Sequence, residues 1–302
     1  MKNSPPFGPA FESFVAPARG KTQLWRLVLG VLLAFLIYLL GTFAIVGIVW
    51  ALTASDVDPL VWAGILAAPA TPGSTFLVLF GSFPMMALGV FAAARFLHHR
   101  RARTLFGRAP KVLRDFFIGT SVTLGLSALL VLPILFVGFE GVPNVEPTKW
   151  FALLPLTFLG VLIQTGAEEV AFRGYLQQQL AARFRSPVMW LILPSAIFGL
   201  VHWNPDALGD NAWLPLGVAF LFGLVAADLT AKSGSIGAAW GIHFANNFNG
   251  IALIATDGTI TGLSLFLTPY SASDPELVGW SVLPSFILLA VAWYLTRRLT
   301  AR

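Results

Sequence analysis

Apolar residues run unbroken for the length of a bilayer crossing several times along this chain. A transmembrane helix needs about 20 consecutive apolar residues. The first such run is 27–52, flanked by Trp25 and Trp50 as interfacial aromatics should be. Asp56, Asp58 and Pro59 end it. The next stretch, 60–68, is apolar but too short to cross, and reads as interfacial or re-entrant. Further spans are expected at 74–97, with Pro84 as a kink, and at 116–139. A fourth run covers 150–166, and its helical pattern continues with polar faces through Tyr175 and Leu180 to Phe184. Ser186-Pro187 marks a turn. Runs at 188–204, 213–229, 236–255 and 277–295 complete the set. The expected fold is all-α: a polytopic membrane protein of about eight transmembrane helices. Four segments follow: a tail (1–26), the first three spans (27–148), a core (149–256), and the last span with its tail (257–302).

Composition agrees with that pattern. Of 302 residues, 57% are hydrophobic and 11% charged. An ordinary soluble domain carries about 25% charged residues, so a water-soluble fold is excluded. The first apolar run begins too far from the start for a cleaved signal and reads as a retained span. There is no cysteine, which removes disulfides, thiolate metal sites and cysteine nucleophiles. The net charge of +5 invites a nucleic-acid partner, but its distribution points elsewhere. Of the 19 Lys and Arg, all but Lys149 fall on one side of the eight-span topology. Basic loops mark the cytoplasmic face, so both termini are expected there, and the charge faces lipid, not nucleic acid. Short loops without sorting signals suit a bacterial plasma membrane.

Three polar clusters interrupt the oily core: Glu168-Glu169-Val170-Ala171-Phe172-Arg173, Phe198-Gly199-Leu200-Val201-His202, and His243-Phe244-Ala245-Asn246-Asn247. A charge at the bilayer centre costs roughly 2.5–3.5 kcal/mol on insertion scales, so such residues are functional candidates by default. Residues four apart share a helix face. Glu169 and Arg173 form such a pair, which neutralises Glu169 and leaves Glu168 without a helix partner of its own. Measured from the turn at Ser186-Pro187, Glu168 and His202 lie at similar heights on antiparallel neighbours and are expected to face each other. His243 and Asn247 share a face and enter from the cytoplasmic side. Together the four residues can divide the work of water attack on a peptide carbonyl. Glu168 and His202 would activate water, while His243 and Asn247 would hold the oxyanion. A zinc version would use Glu168, His202 and His243 as ligands. The H-E-x-x-H helix is absent and Asn247 is a poor zinc ligand, so the metal question stays open between none and Zn2+. Phe172 and Phe198 read as core packing.

The three clusters, in this order on successive membrane helices, resemble the CPBP family of CAAX prenyl and bacteriocin-processing (Abi) intramembrane proteases. Its marks are E-E-x-x-x-R, F-x-x-x-H and H-x-x-x-N or D. The resemblance covers about 150–255. It implies an eight-helix core and an endopeptidase site open to the cytosol. It also implies that Glu168 and His202 activate water and that His243 and Asn247 bind the oxyanion. The implied partner is a peptide or protein, lipidated or not, approached within membrane lipid. A non-catalytic immunity or scaffold protein, holding a peptide in the same polar pocket, is the alternative.

Overall fold

The computed structural model describes residues 7–138 and 140–300. Phe139, Lys2 and Arg302, used above in the span and charge readings, lie outside them.

The helices are α1 (Pro9–Val15), α2 (Leu24–Thr53), α3 (Pro59–Ala67), α4 (Pro72–Gly81), α5 (Phe83–Phe96) and α6 (Ala109–Val137). After these come α7 (Pro147–Glu169), α8 (Gln178–Arg183), α9 (Leu193–Leu200) and α10 (Pro205–Leu208). The last three are α11 (Trp213–Ser233), α12 (Gly237–Phe248) and α13 (Pro275–Thr300). Among the described residues, five helical stretches are long and apolar enough to cross a membrane: Leu24–Thr53, Pro72–Phe96, Ala109–Leu130, Pro147–Arg183 and Gly209–Ser233. Val188–Leu200 is apolar but shorter. On α2, Val28, Leu32, Phe35, Leu36, Leu40 and Phe43 are all exposed. An apolar band of that length suits lipid, not water.

Two elements depart from the all-α expectation. Three strands, β1 (Val142–Pro143), β2 (Ile254–Asp257) and β3 (Phe266–Ser271), form a sheet in the order β1-β3-β2. β1 is antiparallel to β3, whereas β2 runs parallel to it. The run expected to stay helical to residue 255 leaves the α-helix at Phe248, winds as a π-helix over Asn249–Leu253 and then enters β2. Asn144 ties the sheet together, donating from Nδ2 to the carbonyls of Thr261 (2.8 Å) and Ser264 (3.0 Å).

The segment 1–26, read as a tail, is folded from Pro9 onward. Phe11, Phe14, Val15 and Ala18 recur at helical spacing and are buried. They pack with Leu180, Ala181, Trp190 and Ile236, so α1 forms part of the core against α8 and α11.

α12 is held against α6 through glycine. A Cβ on Gly241 would run into the Phe116 carbonyl, one on Gly237 into the Val112 carbonyl, and one on Gly119 into the Ala238 carbonyl. Close backbone approach at small residues drives helix association where no water is present to be released. Thr120 Oγ1 adds a bond to the Gly241 carbonyl at 3.2 Å. Because α12 carries His243 and Asn247, this contact sets their position. Gly241→Val should therefore lower stability by about 1–3 kcal/mol, the usual cost of overpacking. Gly47→Val, where open space surrounds the site, should leave thermal unfolding in detergent unchanged. Equal melting temperatures for the two variants would contradict this packing.

Candidate active site

The first cluster lies at the end of α7, where the chain continues without a break into a π-helix over Val170–Gln177 and then α8. π turns are rare and often occur at functional sites. This one carries Arg173 and abuts the 102–105 turn, since a Cβ on Gly174 would strike the Leu105 carbonyl. Glu168, Glu169, Arg173 and His243 are all buried.

Glu169 is the hub. Its Oε1 accepts from Arg173 Nη1 at 3.0 Å and from His243 Nδ1 at 2.8 Å. The Arg173 guanidinium lies over the rings of Phe198 (4.7 Å) and Phe222 (5.3 Å). Those rings also flank the imidazoles: Phe198 is 4.7 Å from the His202 ring, and Phe222 is 4.7 Å from the His243 ring. Phe198 is thus core packing, as expected, and it also fixes the cation and both histidines.

Glu168 does have a partner on its own helix, contrary to the sequence expectation. Gln164, four residues earlier, donates from Nε2 to Glu168 Oε1 at 2.8 Å. Its Oε1 accepts from Asn247 Nδ2 at 3.0 Å. Gln164 therefore links the carboxylate to the amide across two helices. The position escapes sequence reading because a lone Gln in a span carries no motif; only its spacing of four from Glu168 marks it. The other oxygen, Glu168 Oε2, lies 3.3 Å from His243 Nε2. That distance is short but the alignment is poor, and Oε2 is a buried acceptor without a hydrogen-bond partner among the described residues. Buried acceptors in native proteins are nearly always satisfied, so this one calls for a water or substrate group.

His202 stands at the end of α9. Its recorded bond is to the Phe198 carbonyl, 2.7 Å from Nδ1. A carbonyl can only accept, so Nδ1 carries hydrogen and Nε2 of the neutral ring carries the lone pair. The polar partner of Glu168 across the helices is His243, not the expected His202. The two imidazoles nonetheless meet at one cavity of about 200 Å3, together with Phe198, Asn246 and Asn247. Thr123 on α6 joins that wall, its hydroxyl buried and unpartnered among the described residues. Lying outside all three clusters, it offered no signal in the sequence.

Each of the three residues of the zinc alternative, Glu168, His202 and His243, has a polar partner within the protein. Both ring nitrogens of His243 face carboxylates, and His202 Nδ1 is committed to Phe198. Among the described residues no group of three or more His, Cys, Asp or Glu is set to hold a metal.

The motif helix is pinned on its basic side. His98 Nε2 accepts from the Tyr175 hydroxyl at 2.8 Å, while its Nδ1 donates to the Lys21 carbonyl at 3.1 Å. Burial pushes His98 below the usual imidazole range, and the charges of Arg100, Arg26 and His99 add to the effect.

Fold and site together define a polytopic helical membrane protein with a buried Glu–His–Arg centre. Residues 149–249 match the family described as type II CAAX prenyl endopeptidase Rce1-like. That core segment is thus similar to the CAAX-type endopeptidases that the three clusters resemble, a family whose substrates are peptides or proteins. "Uncharacterized protein YyaK" of Bacillus subtilis (strain 168) is 28% identical over 247 residues, covering 78% of this chain and 80% of that protein. No solved structure matches the chain.

Two outcomes follow from this geometry. Arg173→Met leaves Glu169 buried without its cation and should cost about 3–5 kcal/mol of stability. Arg173→Lys should recover part of that loss, because it restores charge but not the planar stacking on Phe198 and Phe222; equal melting of Met and Lys variants would count against the pair. The depressed His98 contributes stability that is complete above the unfolded imidazole pKa of about 6.5 and is lost as pH falls below it. Melting temperature should thus drop from pH 7.5 to pH 5 with a shallower slope in His98→Gln, and an unaltered slope would refute the assignment.

Proposed function

We propose that this chain is a metal-independent intramembrane endopeptidase acting on membrane-associated, CAAX-like substrates, prenylated ones included. The observation that carries the proposal is the buried Oε2 of Glu168, without a hydrogen-bond partner among the described residues and 3.3 Å from His243 Nε2, a ring that lines one cavity with His202, Asn246 and Asn247. In this reading Glu168 takes a proton from water that is also hydrogen-bonded to the bare Nε2 of His202. The hydroxide attacks the peptide carbonyl carbon. The resulting oxyanion accepts from an Asn247 Nδ2–H not engaged by Gln164 and from His243 Nε2. A His243 ring donating from Nε2 while Nδ1–H is held on Glu169 carries both protons in that step, with two carboxylates beside it. Collapse expels the amine, which receives the proton stored on Glu168. Water and one peptide bond give a carboxylic acid and an amine, and transfer of the acid's remaining proton to the amine leaves carboxylate and ammonium, so atoms and charge balance.

Glu169 and Arg173 take no part in proton transfer; they hold His243. The cavity wall beyond the imidazoles is apolar, built from Pro215, Val218, Leu288 and Leu289, and suits aliphatic residues beside the scissile bond. We read the termini and basic loops as cytoplasmic, with the site in that half of a bacterial plasma membrane. The stretches 188–200, 237–253 and 275–300 then join the five longer helices in the bilayer.

Purified protein in detergent, incubated with a library of farnesylated and unmodified C-terminal peptides, should release short C-terminal fragments detectable by mass spectrometry. Glu168→Gln should cut kcat by about 10²–10⁴ with little change in melting temperature. A zinc chelator should leave the rate as it is. Undiminished cleavage by Glu168→Gln would end the carboxylate mechanism. Loss of activity with chelator, restored by added zinc, would end its metal independence.

A further inference from the structure

A second cavity, of about 630 Å3, lies apart from the Glu–His centre. Two membrane helices end at it: α6 starts at Ala109 and α11 stops at Ser233. It therefore stands where hydrocarbon gives way to headgroups. Its wall holds three cationic side chains, Arg103, Arg108 and Lys111, with the hydroxyl-bearing Ser13, Thr104 and Ser233 between them and no carboxylate. Lys111 is 3.4 Å from Asp115. Arg103 and Arg108 have no ion-pair partner among the described residues.

Like charges converging on one concavity repel each other unless an anion lies between them. Guanidinium groups match phosphate oxygens in fork geometry; the Thr104 and Ser233 hydroxyls already donate to the Arg101 and Ser235 carbonyls, so the cations carry the recognition. The volume falls within the several hundred Å3 usual for a small-molecule site. One wall is fixed from below, because α1 is anchored through Phe11 and Phe14 in the core. Gly107 and Gly234, both at positive φ, let the two loops meet at the rim, where a Cβ on Gly107 would crowd Ser235.

We propose that this cavity is a binding site for a phosphate-ester anion, the chemistry that an anionic phospholipid headgroup and a soluble phosphate compound share. Its position at the bilayer surface puts headgroups within reach at high local concentration. The proposal is independent of the proteolytic reading, and its test needs no substrate.

The full chain, in neutral detergent, is melted with short-chain phosphatidylglycerol, short-chain phosphatidylcholine or inorganic phosphate at equal concentrations. Phosphatidylglycerol should raise the melting temperature by several degrees and phosphatidylcholine should not. A rise with phosphatidylglycerol alone makes a lipid headgroup the occupant, while an equal rise with inorganic phosphate makes it a soluble anion. Both results support the site. The R103Q/R108Q double variant should lose the rise, and R101Q, a neighbouring cation outside the cavity, should keep it. If the double variant fails to fold, R103Q alone with native mass spectrometry of retained phosphatidylglycerol replaces it, a reduced lipid count being expected. No rise with either anion, a rise surviving in the double variant, an equal loss in R101Q, or an unchanged lipid count in R103Q would overturn the proposal.

Discussion

The centre of this protein depends on one buried carboxylate. Glu169 has no exposed surface, and its Oε1 is shared between Arg173, one turn along the same helix, and His243, on another. In a medium that penalises every unpaired charge, such a group persists only while its partners stay in reach. That requirement fixes the rotation of the motif helix relative to α12. It also keeps the His243 ring edge-on between two neighbouring glutamates. The glycine contacts between α12 and α6 serve the same end from the opposite side, by bringing the backbone of α12 close enough for its imidazole to arrive.

Glu169 is occupied in holding the frame, while Glu168 binds neither Arg173 nor the His243 Nδ1. One of its oxygens is steadied by Gln164, which is in turn bound to Asn247; the other is exposed to no donor of good alignment. This is a division of labour between adjacent residues. Glu169 is bonded through Oε1 to a guanidinium and an imidazole, and Glu168 is oriented through Oε1 by a single amide; the second oxygen of each is buried without a hydrogen-bond partner among the described residues. The aromatic pair Phe198 and Phe222 serves both halves, since it covers Arg173 and flanks the two imidazoles.

Much of this was legible from residue order. The run at 27–52 became α2, the turn at Ser186-Pro187 separates α8 from the next helix, and the Glu169–Arg173 pair follows from a spacing of four. The helical extension past Gly166 was also visible, because polar side chains at helical spacing still mark a helix. What escaped had no local signature. π winding leaves apolar periodicity nearly unchanged. β2 and β3 exist because they pair with each other across the excursion 258–265, which no short window contains. α1 did carry a signal, Phe11, Phe14, Val15 and Ala18, but Pro9 and Pro17 beside Gly8 and Gly20 suggested a loop; Pro at a first helical turn is compatible with a helix. The closeness of Glu168 Oε2 to His243 Nε2, 3.3 Å, was not legible because equal height on neighbouring helices does not fix which faces meet.

The shared carboxylate is most directly tested by a double-mutant cycle on thermal stability, pairing Glu169→Gln with His243→Gln in the detergent-solubilised chain. Residues in direct contact should show a coupling energy of about 0.5–3 kcal/mol, so the double variant should lose clearly less than the sum of the single losses. Strict additivity would mean that Glu169 and His243 do not hold each other, and the architecture described for the centre would be wrong.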